Sequence, residues 1–503
     1  MGTVESLSFF LPELALIVAL LLVIGVDLAS TPRGGRANEW PGTLALVGAA
    51  VAFAFTVGLP MLGVRGLLDH TTPSWLFGRM LVFDGFSTFF KLLLSLALLA
   101  VTWMSLGSRE IRRQPNEGEY YVLLLASGLA MFLMAAAGNL LMAYLSLEFV
   151  SLTSYVLTGF LRHNRRSGEA ALKYLIYGGV ASGAMIYGMS WIFGLTGTMD
   201  YAGIAQGLGS LDASSSGALF LALVLVLAGF GYKIAAVPFH MWAPDVYTGA
   251  PIPVTAFLAV GSKAAGFAIL LRFFHFGVGP DGPSAVLHQV PIAQLAGVLC
   301  VLTMTLGNLA ALSQTNLKRL LAYSSIAHAG YALLGFAVFA DAGVQAVIFY
   351  LTIYYVMNLG AFWVVMLIAN ATGSEDIDGY RGLAWRGGAV PAVTLAVFLF
   401  SLAGLPPLAG FVGKFYVFAA AVQGKLYGIV LIGVLNSVVS LYYYARVVRT
   451  MFFDQPTADD PILAFRPSDL VAVSVLSFAT VYLGVRFGGL LDRVDQARRV
   501  FTG

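Results

Sequence analysis

Long apolar runs, separated by short polar or Gly- and Pro-containing segments, make up most of the chain. A bilayer core roughly 30 Å thick needs about 20 predominantly apolar residues per helix, and fourteen runs meet that requirement. They lie near residues 9–29, 42–61, 82–106, 120–137, 140–161, 169–195, 217–241, 252–275, 291–312, 318–340, 344–370, 390–423, 427–450 and 468–486. The pattern predicts an all-α polytopic membrane protein with 14 transmembrane helices.

The composition supports that interpretation and narrows the chemistry. Of 503 residues, 59% are hydrophobic and 11% are charged, and the net charge of only +3 argues against a nucleic-acid partner. The single cysteine, Cys300, cannot supply a CxxC metal site or an iron–sulfur ligand set. We therefore expect no metal and no cofactor in this chain, and any redox cofactor to lie in another protein.

Basic residues in the loops predict the orientation, because Lys and Arg are enriched in loops on the cytoplasmic side of a membrane. Summed over alternate loops, they number fifteen on one side and seven on the other, where the C-terminal tail contributes four. The N-terminus is predicted to face outside, and an even number of spans places the C-terminus there too. The basic tail runs against this assignment.

The distribution of lysine and arginine differs sharply within the apolar runs. Of the 21 arginines, only Arg272 falls inside an apolar run, and it lies near a helix end. Five of the seven lysines do so, and they are Lys91, Lys173, Lys233, Lys263 and Lys414. A charge at mid-membrane costs at least about 2.5 kcal/mol. Lysine can lose its proton when desolvated and arginine effectively cannot, so this sorting indicates groups that change protonation state.

Glu148, in the fifth span, is the acid that stands out inside the membrane. Asp27, Asp84 and Glu169 lie near helix ends, where side chains are expected to reach the interface. Glu148 and the lysines are therefore candidate carboxylate and ammonium partners that set each other's protonation. The alternative is a fixed buried ion pair that holds helices together. Lys91, seven residues after Asp84, fits a packing role at least as well as a proton-handling one.

Two spans are predicted to break at proline next to a buried lysine. Pro238 follows Lys233 by five residues, and Pro406 and Pro407 precede Lys414 by about two turns. Broken membrane helices are tolerated where they are buried in protein or line a hydrated cavity. Two histidines accompany these features: His240 follows the first break, and His328 lies among hydroxyl side chains in the tenth span. For His328 a relay role and a hydrogen-bonded core role are both open.

A weak internal repeat relates the two halves. Leu227-Ala228-Gly229 recurs 175 residues later as Leu402-Ala403-Gly404, and Tyr155, Gly159 and Phe160 recur 176 residues later as Tyr331, Gly335 and Phe336. Five spans separate the copies, so the second is predicted to be inverted, as in ion-handling transporters. The predicted organisation is an N-terminal three-helix segment (1–119), two five-helix repeats (120–275 and 276–453), and a last helix with a tail (454–503).

Three segments carry a resemblance to a known family. They are 231–251, with the sequence GYKIAAVPFHMWAPDVYTGAP, 318–328, with the sequence KRLLAYSSIAH, and the break from Gly404 to Lys414. Together they resemble the antiporter-like subunits of respiratory complex I, and the similarity extends over essentially the whole chain. The family fold implied is fourteen helices with two inverted five-helix repeats and two broken helices.

The resemblance implies roles for particular residues. Glu148 would be the fifth-helix carboxylate that stabilises the charge of Lys233, Lys263 the connecting lysine, and Lys414 the residue towards the exit side. Lys173, His328 and His240 would be auxiliary members of the relay. A lysine rather than a glutamate at 414, and a chain that ends soon after the fourteenth span, favour the subunit N type, also called subunit 2. The counterpart in photosynthetic ferredoxin–plastoquinone complexes stays open.

The expected function is proton translocation in the membrane arm of NADH:quinone oxidoreductase, an H⁺-translocating enzyme complex. Flavin, iron–sulfur clusters and quinone would lie in partner subunits, and the chain would contact sibling antiporter-like subunits and lipid. The expected location is the cell inner (plasma) membrane, with an organellar or thylakoid membrane still open. Two alternatives remain: a subunit of a multisubunit monovalent cation/proton antiporter, and a passive scaffold whose buried charges only lock helices.

Overall fold

The computed structural model describes residues 2–29, 40–58, 73–112, 114–279, 290–456 and 462–501. The predicted end of the second span, at 59–61, lies outside the described residues. So do four of the arginines that entered the orientation count, which are Arg33, Arg36, Arg65 and Arg113.

Helices dominate the described chain. They are α1 (Thr3–Leu7), α2 (Leu11–Ala29), α3 (Trp40–Val57), α4 (Gly85–Gly107), α5 (Arg109–Arg112), α6 (Glu117–Ala135), α7 (Leu140–Thr158), α8 (Arg165–Thr196), α9 (Tyr201–Gly209), α10 (Ser216–Ile234), α11 (Trp242–Gly249), α12 (Ile252–Phe257), α13 (Lys263–Arg272), α14 (Ile292–Ala311), α15 (Leu317–Ala337), α16 (Asp341–Thr372), α17 (Ala389–Ala403), α18 (Ala409–Gln423), α19 (Tyr427–Phe452), α20 (Pro467–Val485) and α21 (Gly488–Arg498). Short 3₁₀ segments cover Ala213–Ser215, Ile377–Tyr380, Leu383–Trp385 and Arg499–Phe501, and π-helical segments cover Leu258–Ser262 and Phe273–Val278.

The predicted membrane spans are confirmed. Within the described ranges, thirteen helical stretches are long and apolar enough to cross a membrane. The number is fourteen if α17 and the 3₁₀ segments just before it, which are bent relative to each other, are counted as one span. The eighth span is continuous from Ile252 to Val278 and combines α12, α13 and the two π segments. The third begins at Gly85 rather than 82, because Leu81–Phe83 forms strand β2, which pairs antiparallel with β1 (Ser74–Leu76).

Both predicted breaks are present, and each ends four residues before a proline. Helix α10 ends at Ile234 and α17 ends at Ala403, because Pro238 and Pro407 have no N–H to donate to the carbonyls of those two residues. The chain then turns through left-handed backbone, with φ of +59° at Ala235 and +92° at Gly404. The predicted seventh span reached residue 241, so the observed helix ends seven residues earlier.

The repeat is visible in matching helix ends. Helices α8 and α16 each contain 32 residues, and each ends on a left-handed glycine, Gly197 with φ of +71° and Gly373 with φ of +73°. Asn139 and Asn316 occupy the N-caps of α7 and α15, and each side chain accepts a hydrogen bond from the backbone N–H three residues later. The fifth and tenth spans therefore begin in the same way.

Two ion pairs with both side chains buried join helices within the described chain. The Lys91 ammonium lies 2.6 Å from the Glu13 carboxylate, and the two side chains are 3% and 0% exposed. Arg272 donates to both carboxylate oxygens of Asp84, at 2.8 and 2.9 Å, with both side chains 1% exposed. Asp84 is thus buried, contrary to the expectation that it reaches the interface. These pairs link α4 to α2 and to α13.

The Lys91 pair predicts a specific pattern of stabilities. Lys91→Met leaves the Glu13 carboxylate buried and unpaired, so it should destabilise the protein by about 3–5 kcal/mol. The double variant Lys91→Met/Glu13→Gln removes both charges and should recover most of that loss. Thermal unfolding of the purified proteins measures both effects. A double variant no more stable than the single one would contradict this account of the pair.

Candidate functional site

Glu148 and Lys233 approach one another across α7 and α10. Lys233 lies in the last turn of α10, is 2% exposed, and donates from Nζ to Ser151 Oγ at 3.3 Å. Ser151 is one turn beyond Glu148 on α7, so the lysine faces the side of α7 that carries the carboxylate. Glu148 Oε1 is buried without a hydrogen bond, and none of the described Lys or Arg nitrogens lies within 4.0 Å of this carboxylate. The two charges are neighbours without forming a closed ion pair.

Close packing against a glycine fixes the stem of Lys233. Gly266, on α13, faces the end of α10, and a Cβ added there would lie 3.3 Å from Lys233 Cγ and 2.9 Å from Ile234 Cγ2. The seventh and eighth spans therefore approach each other closely at this point. Lys263 is on the same helix, one turn before Gly266.

Lys263 follows directly after the π-helical segment Leu258–Ser262 and is 3% exposed. Its Nζ donates to the carbonyl oxygen and to Oγ of Ser325 on α15, both at 2.5 Å. The hydroxyl of Tyr354, on α16, donates to the same Oγ at 2.8 Å. Ser325 thus joins three helices around one ammonium group, and the hydrogen-bonding partners of that ammonium among the described residues are neutral oxygens.

His328 lies one turn after Ser325 on α15 and is 3% exposed. Its Nδ1 is 2.6 Å from the hydroxyl of Tyr350, and its Nε2 is 3.4 Å from the hydroxyl of Tyr444. Tyr444 also hydrogen-bonds the hydroxyl of Ser324. Both ring nitrogens therefore meet a group that can donate or accept a proton, as a relay requires.

Lys414 uses the carbonyl group that the second break sets free. Its Nζ donates to the carbonyl oxygen of Ala403, the last residue of α17, at 2.9 Å, and lies 4.6 Å from the ring centre of Tyr331. The side chain is packed against Gly404, where a Cβ would lie 3.0 Å from Lys414 Cδ. The proline break and the buried lysine thus form a single local structure.

The remaining predicted residues take different positions. Lys173 is 39% exposed and forms ion pairs of 2.7 Å with Glu169 and with Asp245, which also binds Arg319 at 2.8 Å. It belongs to a charged cluster at the edge of the bundle. His240 is buried in the segment between α10 and α11 that contains Pro238, and Pro406 and Pro407 lie between α17 and α18.

The sequence shows the hydroxyl groups beside His328 within the tenth span, but not those that other helices bring to the lysines and to His328. The latter are Ser151, Tyr350, Tyr354 and Tyr444. The available signal was the spacing of Tyr350 and Tyr354, four residues apart and therefore on one face of a helix that crosses the membrane. Buried hydroxyl groups need partners, and such a pair inside an apolar span indicates polar surroundings.

The sequence of this chain is similar to those of known proteins. Residues 137–440 match the family described as NADH:quinone oxidoreductase/Mrp antiporter. The chain is 47% identical to the NADH-quinone oxidoreductase subunit N 2 of Sorangium cellulosum, with 99% of this chain and 98% of that protein covered. The chain belongs to the NADH-quinone oxidoreductase subunit N family. The resemblance to antiporter-like subunits of complex I is therefore confirmed.

Chains in solved structures share the fold of this chain. A chain in respiratory complex I from Thermus thermophilus with bound aureothin is 32% identical, with a TM-score of 0.77, and covers 96% of this chain and 98% of its own length. A chain of the Mrp complex from Dietzia sp. DQ12-45-1b reaches a TM-score of 0.83 at 22% identity, with 99% of this chain and 100% of that chain covered. The second likeness shows a shared fold.

The packing of Lys414 leads to a prediction for this member of the subunit N family. Gly404→Ala forces an L side chain into left-handed backbone, at a cost of about 1–2 kcal/mol, and its Cβ pushes the Lys414 stem away from the Ala403 carbonyl. We expect a lower thermal unfolding midpoint for this variant. Gly428→Ala is the matched control, because a Cβ at that position meets nothing within 4 Å. Equal midpoints for the two variants would contradict the packing argument.

Proposed function

We propose that the chain is a proton-translocating membrane-arm subunit of NADH:quinone oxidoreductase and conducts protons along the axis that Glu148, Lys233, Lys263, His328 and Lys414 define. The observation that carries the proposal is the set of partners of the three axis lysines. Each ammonium group hydrogen-bonds only neutral serine or backbone oxygens within the described chain. Redox chemistry would take place in partner subunits that hold flavin, iron–sulfur clusters and quinone.

The neutral partners make the protonation of each axis lysine sensitive to the charges near it. Charges interact strongly in a low-dielectric interior, so the protonation of an ammonium without a carboxylate depends on neighbouring charges. Gain or loss of a proton at Lys233 would therefore alter the affinity of Lys263 for its own proton, and so on along the axis. Lys91 is the contrasting case, because Glu13 neutralises it at 2.6 Å. A static pair of that kind suits a scaffold and is poorly suited to a relay.

The proposed direction runs from the side with the basic loops to the opposite side. Uptake would load Lys233 near Glu148, transfer would proceed through Lys263 and His328, and Lys414 would release the proton. Ser325 and the tyrosine hydroxyls supply exchangeable protons between Lys263 and His328. The two helix breaks provide polar backbone where a hydrated passage can form.

The orientation and surroundings follow from the same proposal. The basic loops would face the cytoplasm and the N-terminus the outside of the cell inner membrane. Sibling antiporter-like subunits and lipid would surround the bundle, and 120–275 and 276–453 would form the two inverted repeats. The shared fold with an Mrp complex keeps one further function testable: a subunit of a cation/proton antiporter.

Substitutions on the axis test the proposal. In complexes that assemble normally, Glu148→Gln and Lys233→Ala should each lower the number of protons moved per electron, because the first relay group is lost. A positioned acid–base group contributes roughly 10²–10⁴-fold to proton transfer, so the proton flux through this subunit should fall by at least about 100-fold. Lys425→Ala is the control, since Lys425 is exposed and lies outside the predicted spans.

The measurement is NADH-driven acidification of sealed membrane vesicles, followed together with NADH oxidation. A normal proton-to-electron ratio in both axis variants would rule out the proposed role and favour a scaffold. Sodium-dependent proton flux without copurifying NADH oxidation, flavin or iron–sulfur signals would favour the antiporter function.

A further inference from the structure

A polar cavity of about 1000 Å³ opens among the loops of the side that carries the basic residues. Its walls come from α5, from the segments before α8 and α15, and from the ends of α11 and α16. Charged and polar side chains line it, among them Arg109, His163, Arg166, Asn316, Lys318 and Glu375. We call this cavity the polar bowl. None of its lining residues belongs to the axis from Glu148 to Lys414.

Glu110 is a partly buried acidic residue in the wall of the polar bowl. It lies on α5, and its Oε2 accepts a hydrogen bond of 2.9 Å from the backbone N–H of Ile252, the first residue of α12. Burial raises the pKa of the Glu110 carboxyl, and the Lys318 ammonium opposes that effect. A carboxyl in this position can hold a proton closer to neutral pH than an exposed glutamate does.

Charges of both signs surround Glu110 in the polar bowl, and they are Arg109, Arg165, Arg166 and Lys318 on the basic side and Glu375 and Asp376 on the acidic side. Lys318 is 1% exposed and donates to Glu375 at 2.8 Å and to the carbonyl oxygen of Ala250 at 2.9 Å. One buried ammonium therefore serves two acids, and Glu375 holds the closer contact. The negative charge of Glu375, like burial, raises the pKa of the Glu110 carboxyl. Lys318 and Glu375 thus act in opposite directions on the proton affinity of the Glu110 carboxyl.

The wall of the polar bowl at the end of α11 is adjacent in sequence to Tyr247, whose hydroxyl lies in the cluster around Lys263. The residues that end α11, from Thr248 to Ala250, line the bowl, and the hydroxyl of the preceding Tyr247 lies 3.5 Å from Ser325 Oγ. Ser325 is the partner of Lys263. Lys318 is on the same helix, seven residues before Ser325, which is about 10 Å along one face. Lys318, which lines the bowl, and Ser325, which binds Lys263, therefore lie on the same face of α15.

From this geometry we propose that Glu110 is the proton-accepting residue of the polar bowl and passes protons towards the cluster of Tyr247, Ser325 and Lys263. The inference rests on the proposed function and adds an access point beside the middle lysine. Glu110 acts as a relay residue in this proposal. The competing explanation is purely structural: its carboxylate caps the first turn of α12 by accepting from Ile252.

Three substitutions separate these explanations. Glu110→Gln keeps an oxygen that can accept from Ile252 but cannot ionise, whereas Glu110→Asp keeps the acid. Asp378→Asn is the matched control, because Asp378 is an exposed acid of a neighbouring segment and is not among the residues that line the cavity. The readout is NADH-driven proton translocation by assembled complexes in vesicles, measured as a function of pH on the bowl side.

We expect Glu110→Gln to slow proton uptake by about tenfold or more, below the roughly 10²–10⁴-fold contribution of an ideally placed acid–base group. Wild-type uptake should decline as the pH rises and the Glu110 carboxyl loses its proton, and that inflection should disappear in Glu110→Gln. Glu110→Asp should restore most of the rate. Asp378→Asn should behave like the wild type.

Wild-type rates and an unchanged pH inflection in Glu110→Gln would overturn the inference. So would a slow Glu110→Gln that keeps the inflection and is not rescued by Glu110→Asp, because a cap alone explains that result. Lys263→Met, measured in parallel, identifies which claim has failed. Loss of pumping in Lys263→Met with normal Glu110→Gln removes only this inference, whereas normal pumping in both also removes Lys263 from the proposed axis.

Discussion

Keeping a lysine ammonium inside a helix bundle costs at least about 2.5 kcal/mol, and the architecture of this protein is organised around three such groups. Lys233, Lys263 and Lys414 are each 4% exposed or less and bind serine or backbone oxygens. Hydrogen bonds to neutral oxygens stabilise the charge without fixing it, since they lower its desolvation cost and leave it uncompensated. Each lysine therefore responds to the charge of its neighbours.

The broken helices follow from that constraint. A continuous membrane helix uses its own carbonyl groups, so it has none to offer to a buried ammonium. Pro407 removes one backbone donor, α17 ends at Ala403, and the Ala403 carbonyl binds Lys414 at 2.9 Å. Gly404 supplies the left-handed turn and the space for the lysine stem. Proline, glycine and lysine thus act together, and loss of any one affects the other two.

Much of the architecture could be predicted because its causes are local. The length of each apolar run determines a span, and a proline four residues after a carbonyl determines a helix end, as at Ile234 and Ala403. The pairings could not be predicted in the same way. Glu13 and Lys91 are 78 positions apart, and Asp84 and Arg272 are 188 apart, so only tertiary packing brings them together. Lys173 shows the same limit, because an apolar run does not reveal which face of α8 meets the bundle. The tyrosines near His328 were hidden because aromatic residues in a membrane span are usually packing groups.

The central claim is that the axis lysines change protonation during function while Lys91 does not. Nitrogen-15 solid-state NMR of the lysine side chains in the assembled complex in membranes tests it most directly. Spectra are compared at rest and during NADH-driven turnover, and the Lys263→Met variant assigns the Lys263 signal. The account predicts that the Lys263 Nζ signal moves between its ammonium and amine positions during turnover, while the Lys91 signal stays at the ammonium position. A Lys263 signal that remains at the ammonium position in both conditions would contradict it.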